Sequence, residues 1–260
     1  MRHLVVLSAV IALVALMPAG PAAADNGDKL SAVPFEFVGG AGDCGTGYAA
    51  GSRIVTAAWL GGMGLPDNGG QNSNPANPTD NPNKKDPHSG LLLSKNGPTP
   101  DCSSSGARIN GVKGMQVTAT FELGFDYRNG GHCGAGAPRF NVTTTSGFSF
   151  AGGCSNGVRS QAPQDPLQWT RVRIFATLTG QGFPPIPTGS VIESISILYD
   201  EGTDTVLGDD PMGIGLAVID NIDVGGKLIT SGPSGKDKDK KDKDKKDKRD
   251  DHDGDDGDDD

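Results

Sequence analysis

Histidine is scarce, aromatic residues are few, and beyond the first two dozen residues the chain has no long hydrophobic run. Of 260 residues, 4 are His and 5% are Phe, Trp or Tyr. His3 stands in the basic start and His252 in a charged C-terminal segment, which leaves His88 and His132 for a folded body. Two histidines are too few for a zinc cluster beside Cys133 or for a convincing Ser/His/Asp set. A Gly-x-Ser-x-Gly elbow and a His-Glu-x-x-His helix are both absent. Glycoside hydrolysis needs two placed carboxylates, and Glu36, Glu122, Glu193 and Glu201 show no strand-spaced acidic cluster. The expectation is a protein that is not an enzyme.

The one apolar run is at the start. Met1-Arg2-His3 is basic, Leu4 to Leu16 is apolar, and Ala22-Ala23-Ala24 supplies small residues for cleavage. This layout predicts a secretory signal peptide over 1–24, with Asp25 as the first mature residue. The run is shorter than the ~20 residues of a membrane span, so no membrane span is expected and the protein is expected to be secreted. Outside the cytosol, four cysteines favour two disulfides over metal ligands or catalytic thiols. Spacing favours Cys44–Cys102 and Cys133–Cys154. The second pair brackets an expected hairpin, "APRFNV" and "FSFAG" joined at Thr145-Ser146-Gly147.

The charge is uneven. Residues 232–260 end in "GKDKDKKDKDKKDKRDDHDGDDGDDD", which has no apolar side chain to bury and predicts a disordered, Lys/Asp-rich tail. Its blocky charges suit solubility or attachment to charged cell-wall polymer. The whole chain carries −9, and the body remains acidic without the tail. An acidic body argues against nucleic acid as a partner.

What the chain has in quantity is glycine, 40 residues, and proline, 18. Between them run segments of period two. In "VTATFELGFDY", Val117, Ala119, Phe121, Leu123, Phe125 and Tyr127 share a face. In "WTRVRIFATL", Val172, Ile174, Ala176 and Leu178 oppose Trp169, Arg171, Arg173 and Phe175. Further strands are predicted at 191–199 and 214–224, and no helical periodicity of similar length appears. Residues 25–231 therefore predict one all-β domain, an antiparallel β-sandwich of jelly-roll type. Long loops are expected at about 61–106, around a short strand at 91–94.

The stretch "GGHCGAGAPRFNV" (130–142) matches no dinucleotide fingerprint and reads as a glycine-rich corner beside a disulfide. After Pro138, Phe140 and Val142 point to the core, so Arg139 and Asn141 project from the other side. With Trp169, Arg171 and Arg173 from another strand, they would form a groove of hydrogen-bond donors and an aromatic platform, the mix that a sugar site uses.

In "LYDEGTDTVLGDDPMGIGLAVIDNIDV", Asp220 falls among Ile214, Leu216, Val218, Ile222 and Val224. A buried carboxylate needs a cation, an arginine, backbone N–H donors, or a bulge that turns it outward. Calcium is one solution outside the cell, and Asp200, Glu201, Asp204, Asp209 and Asp210 are nearby in sequence.

"SISILYDEGTD" followed by "VIDNIDV" resembles the final strands of secreted carbohydrate-binding jelly rolls of the galactose-binding-like type. The pattern "GLLLSKN … GHCGAGAPRFNV … IDNIDV" is also similar to that of uncharacterised secreted bacterial proteins. The first resemblance implies a structural Ca2+ held by Asp220 with Glu36 of "PFEF", and a sugar ligand. The expected function is non-catalytic binding of an extracellular ligand, glycan foremost. The alternatives are a surface-associated structural protein attached by its tail, and a polysaccharide-cleaving enzyme.

Overall fold

The computed structural model describes residues 29–39, 54–66, 88–96, 102–201 and 215–233. The expected signal peptide, the charged tail, Cys44, Asp204, Asp209 and Asp210 lie outside the described residues.

Strands β1 (Ser31–Phe37), β4 (Ser104–Asn110), β6 (Arg139–Thr144), β7 (Gly147–Gly152), β10 (Gly182–Phe183) and β11 (Ile192–Tyr199) build one sheet, in the order β1-β4-β11-β6-β7-β10. Strands β2 (Ile54–Gly61), β3 (Ser89–Asn96), β5 (Leu123–Arg128), β8 (Val158–Gln161), β9 (Trp169–Ile174) and β12 (Leu216–Val224) build the second, in the order β2-β3-β12-β5-β9-β8, with β13 (Lys227–Ile229) on β12. The fold is the expected antiparallel β-sandwich. β11 lies between β4 and β6, and β12 between β3 and β5, so late strands fill the centres of both sheets in jelly-roll fashion.

The period-two pattern holds the layers together. Ala107, Ile109, Phe140, Val142, Ile195 and Ile197 from the first sheet meet Leu91, Leu93, Leu123, Phe125, Val172, Ile174, Ile219 and Ile222 from the second in one buried core. Phe125 and Phe140 touch across it with ring centroids 6.0 Å apart. At about 25 cal/mol per Å2 of apolar surface removed from water, this layer is the main source of stability.

Several boundaries differ from expectation. The strand at 117–127 forms only from Leu123, because the Phe121 N–H turns back to the Thr118 carbonyl at 3.1 Å. Ala119 is consequently exposed, while Val117 and Phe121 stay buried. β9 stops at Ile174, and a turn in which Leu178 N–H reaches the Phe175 carbonyl leaves Leu178 exposed. The expected loop at 61–106 contains all of β3, which is longer than 91–94, and the start of β4. The described chain also continues past 231: a Cβ on Gly232 would lie 2.7 Å from Trp59 Cδ1, so this segment rests on the indole.

Candidate functional site

The glycine-rich stretch is a corner, and the group it cradles is the chain's own carboxylate. A Cβ on Gly136 would collide with Glu201 Oε1, and one on Gly134 would lie 3.4 Å from Glu201 Oε2. Glu201 also meets buried His132 Nε2 at 3.2 Å. The Cys133–Cys154 disulfide is present and ties the open end of the β6–β7 hairpin, where Arg139 pairs with Gly152. Cys102 is disulfide-bonded too, but its expected partner Cys44 lies outside the described residues. Peptide mapping without reduction is expected to recover Cys133–Cys154. Cys154→Ala is expected to lower stability by about 2–3 kcal/mol in urea. Free thiol at Cys133 in native protein would contradict the bridge.

The outer face of the second sheet holds Trp169, Arg171 and Arg173; it is closed over Trp169, while the Arg171 and Arg173 side chains keep 25% and 15% exposure. Trp169 is fully buried in a second apolar cluster with Leu65, Ala162 and Val218. The 62–66 turn lies so close over β3 that a Cβ on Gly90 would run into the Met63 carbonyl. Both arginines serve internal ion pairs. Arg171 Nε and Nη2 donate to the two carboxylate oxygens of Asp126 at 2.9 and 3.0 Å, and Asp126 is completely buried. Arg173 lies across Gly124, where a Cβ would meet its Cδ at 2.8 Å, and its Nε approaches Asp223 Oδ2 at 3.4 Å. The hydrogen bond to Asp126 raises the Arg171 pKa above its ordinary value.

Asp220 belongs to this same face rather than to the core. The β12–β5 register shifts between Asp220 and Asp223, and Asn221 adopts φ 46°. This bulge lets Ile219 and Ile222 both reach the core, while Asp220 turns outward beneath the 62–66 turn. Its Oδ1 accepts the Asn221 N–H at 2.6 Å and its Oδ2 the Leu65 N–H at 2.8 Å. Burial nevertheless pushes its pKa up to about 6, against the lowering effect of those two N–H donors. Burial likewise raises the Asp223 pKa.

Glu36 does not join it. Glu36 is exposed at the end of β1 in the first sheet, where its Oε1 accepts the Ala57 N–H at 2.9 Å. The two residues that the resemblance pairs around calcium therefore sit in different sheets. Among the described residues no group of three or more His, Cys, Asp or Glu is arranged to hold a metal, so the residues present do not fit that site.

The outer face of the first sheet is open. Arg139 and Asn141 project here, on the opposite side of the sandwich from Arg171 and Arg173, so the expected five-residue groove does not form. Arg139 is engaged: its Nη1 and Nη2 donate to Asp200 at 2.5 and 2.6 Å. Asn141 Oδ1 is buried and has no hydrogen-bond partner among the described residues.

The residues that sequence reasoning missed lie beside Asn141. On β7, Ser149 is buried and its Oγ donates to the Pro184 carbonyl at 2.6 Å, while Phe148 and Phe150 are 55% and 41% exposed. Phe150 stacks on Phe183 at 5.3 Å between centroids, 19° from parallel, and Arg139 Cζ sits 6.0 Å from the Phe150 ring centre. Strand register lines up Val33, Arg108, Ser196, Asn141, Phe150 and Phe183 in one row across the sheet. At about 4.8 Å per strand the row spans about 14 Å from Arg108 to Phe150.

No protein-family model matches the chain, and no curated protein or solved structure matches it either. Among the described residues no helix is long and apolar enough to cross a membrane.

Proposed function

We propose that this is an exported, non-catalytic protein whose first sheet binds extracellular glycan across its outer face. The observation that carries the reading is the inverted strand β7. It buries a serine and presents two phenylalanines to solvent, against the usual hydrophobic ordering. Exposed apolar surface rimmed by polar groups marks interaction sites. Phe150 and Phe183 offer a flat apolar platform for a sugar ring, and Ser196 in the same row offers hydrogen bonds to hydroxyls. Trp169, which sequence reasoning placed in the binding groove, is buried with Leu65 and has no part in this reading.

A glycan array with the mature protein tests this. Phe150→Ala is expected to weaken binding of any captured glycan about tenfold, equivalent to about 1.4 kcal/mol, with an unchanged melting curve because the ring is half-exposed. An array silent for neutral and acidic glycans alike would favour the surface-associated structural protein. Release of reducing ends from a bound polymer would favour a cleaving enzyme.

A further inference from the structure

At the other end of the same row the face changes character. A concavity of about 390 Å3 opens between β4, the 111–113 turn and β11, lined among others by Phe35, Arg108, Asn110, Lys113, Glu193 and Ser196. Arg108 is exposed, and its guanidinium lies 5.1 Å from the Phe35 ring centre. The ring itself is seated on Gly106, where a Cβ would come within 2.6 Å of Phe35 Cζ. Elsewhere Arg139 pairs with Asp200, and Arg171 and Arg173 pair with Asp126 and Asp223. Arg108 and Lys113 have no carboxylate within ion-pair distance among the described residues, although Glu193 lines the same concavity. In a chain of net charge −9, a pair of uncommitted cations in one hollow is a local reversal of sign.

Resting on the glycan reading above, we infer that the concavity is a subsite for the acidic group of a charged sugar, a uronate carboxylate. Arg108 supplies planar N–H donors matched to a carboxylate, and its position over Phe35 limits the rotamer freedom lost on binding. Lys113 adds a second positive charge. Glu193 sits where it accepts sugar hydroxyls, and its charge leaves the lining with one net positive charge, suited to a singly charged group. Ser196 and Asn110 complete the hydrogen-bonding rim. The row then reads as one oligosaccharide path, with the acid at Arg108 and a ring at Phe150.

Calorimetric titration with a uronate oligosaccharide, its methyl ester and a sulfated oligosaccharide of equal length tests the inference. The acid is expected to bind about tenfold tighter than the ester at low salt, with the preference shrinking as salt rises. Arg108→Gln is expected to abolish the preference, so that acid and ester bind with equal affinity; Phe150→Ala is expected to weaken acid and ester by the same factor and so to keep the preference. Equal affinity of the native protein for acid and ester, or an intact preference in Arg108→Gln, overturns the subsite but leaves glycan binding standing. Tighter binding of the sulfated ligand than of the uronate overturns the carboxylate assignment. Binding of none of the three overturns the subsite, and the glycan reading falls with it only if the array of neutral and acidic glycans is also silent.

Discussion

Asp126→Ala is expected to destabilise the domain by about 3–5 kcal/mol, the range seen when one member of a buried ion pair is removed. The carboxylate has no solvent exposure and receives Arg171 Nε and Nη2 as well as Asn221 Nδ2, the last at 2.9 Å. Arg173 Nη1 lies 3.8 Å away. Removing the carboxylate leaves the three-quarters buried Arg171 side chain without its bidentate partner. Asn221 retains Gln164 Oε1 at 2.7 Å, so the loss falls mainly on the arginine. Urea unfolding of Asp126→Ala and Asp126→Asn measures it, the asparagine keeping the shape without the charge and falling in between. A loss below about 1 kcal/mol for the alanine would mean that Arg171 is freely resolvated and that the pair contributes little.

Asp220 should give the fold an unusual pH dependence. An unfolded aspartate titrates near 3.8 and the folded group near 6. Below 3.8 both states carry the proton and the buried charge costs nothing. Between these values the unfolded chain ionises first, so stability falls as pH rises, and above 6 the cost is complete. At about 1.4 kcal/mol per pKa unit the total is about 3 kcal/mol. Asp126 on the adjacent strand adds to the upward shift and His88 opposes it, both secondary to burial. Asp223 shifts in the same direction, so the comparison must isolate one group. The stability of the native protein minus that of Asp220→Asn is expected to grow by about 2 kcal/mol as pH is lowered from 7 to 4. A difference independent of pH would show that the carboxylate is solvated, and hence that Leu65 does not cover it.

The sandwich was legible because period-two alternation is a backbone property that survives errors at strand ends. Val172 and Ile174, or Phe140 and Val142, face the core as their spacing requires. The site was less legible, for two reasons of register. The β6–β7 turn expected at Thr145-Ser146-Gly147 would pair Thr144 with Phe148 and carry Phe148 and Phe150 to the core side. The observed turn is one residue shorter: Thr144 pairs with Gly147, whose φ is 117°, and the phenylalanines face outward. A slip of one residue exchanges the faces of a whole strand. The bulge at Asn221 does the same to Asp220, and an asparagine in "IDNID" was the available signal, since asparagine tolerates positive φ better than most residues. Burial of Trp169 had no local signal, because the turn that covers it arrives from a hundred residues away in the chain.

Glu36, in a different sheet from Asp220, has a different consequence. The Ala57 N–H that it occupies lies on β2, the last strand of the second sheet. Left vacant, such a group is an invitation to another molecule's strand, and rows of them nucleate aggregates. The other borders are guarded by composition: β1 carries Pro34, β10 is two residues long and runs into Pro184 and Pro185, and β8 has Arg159 at its centre. A chain that displays phenylalanines on one sheet face can stay dispersed only if its rims refuse to add strands. By this geometry the carboxylate of Glu36 is a guard against fibril growth.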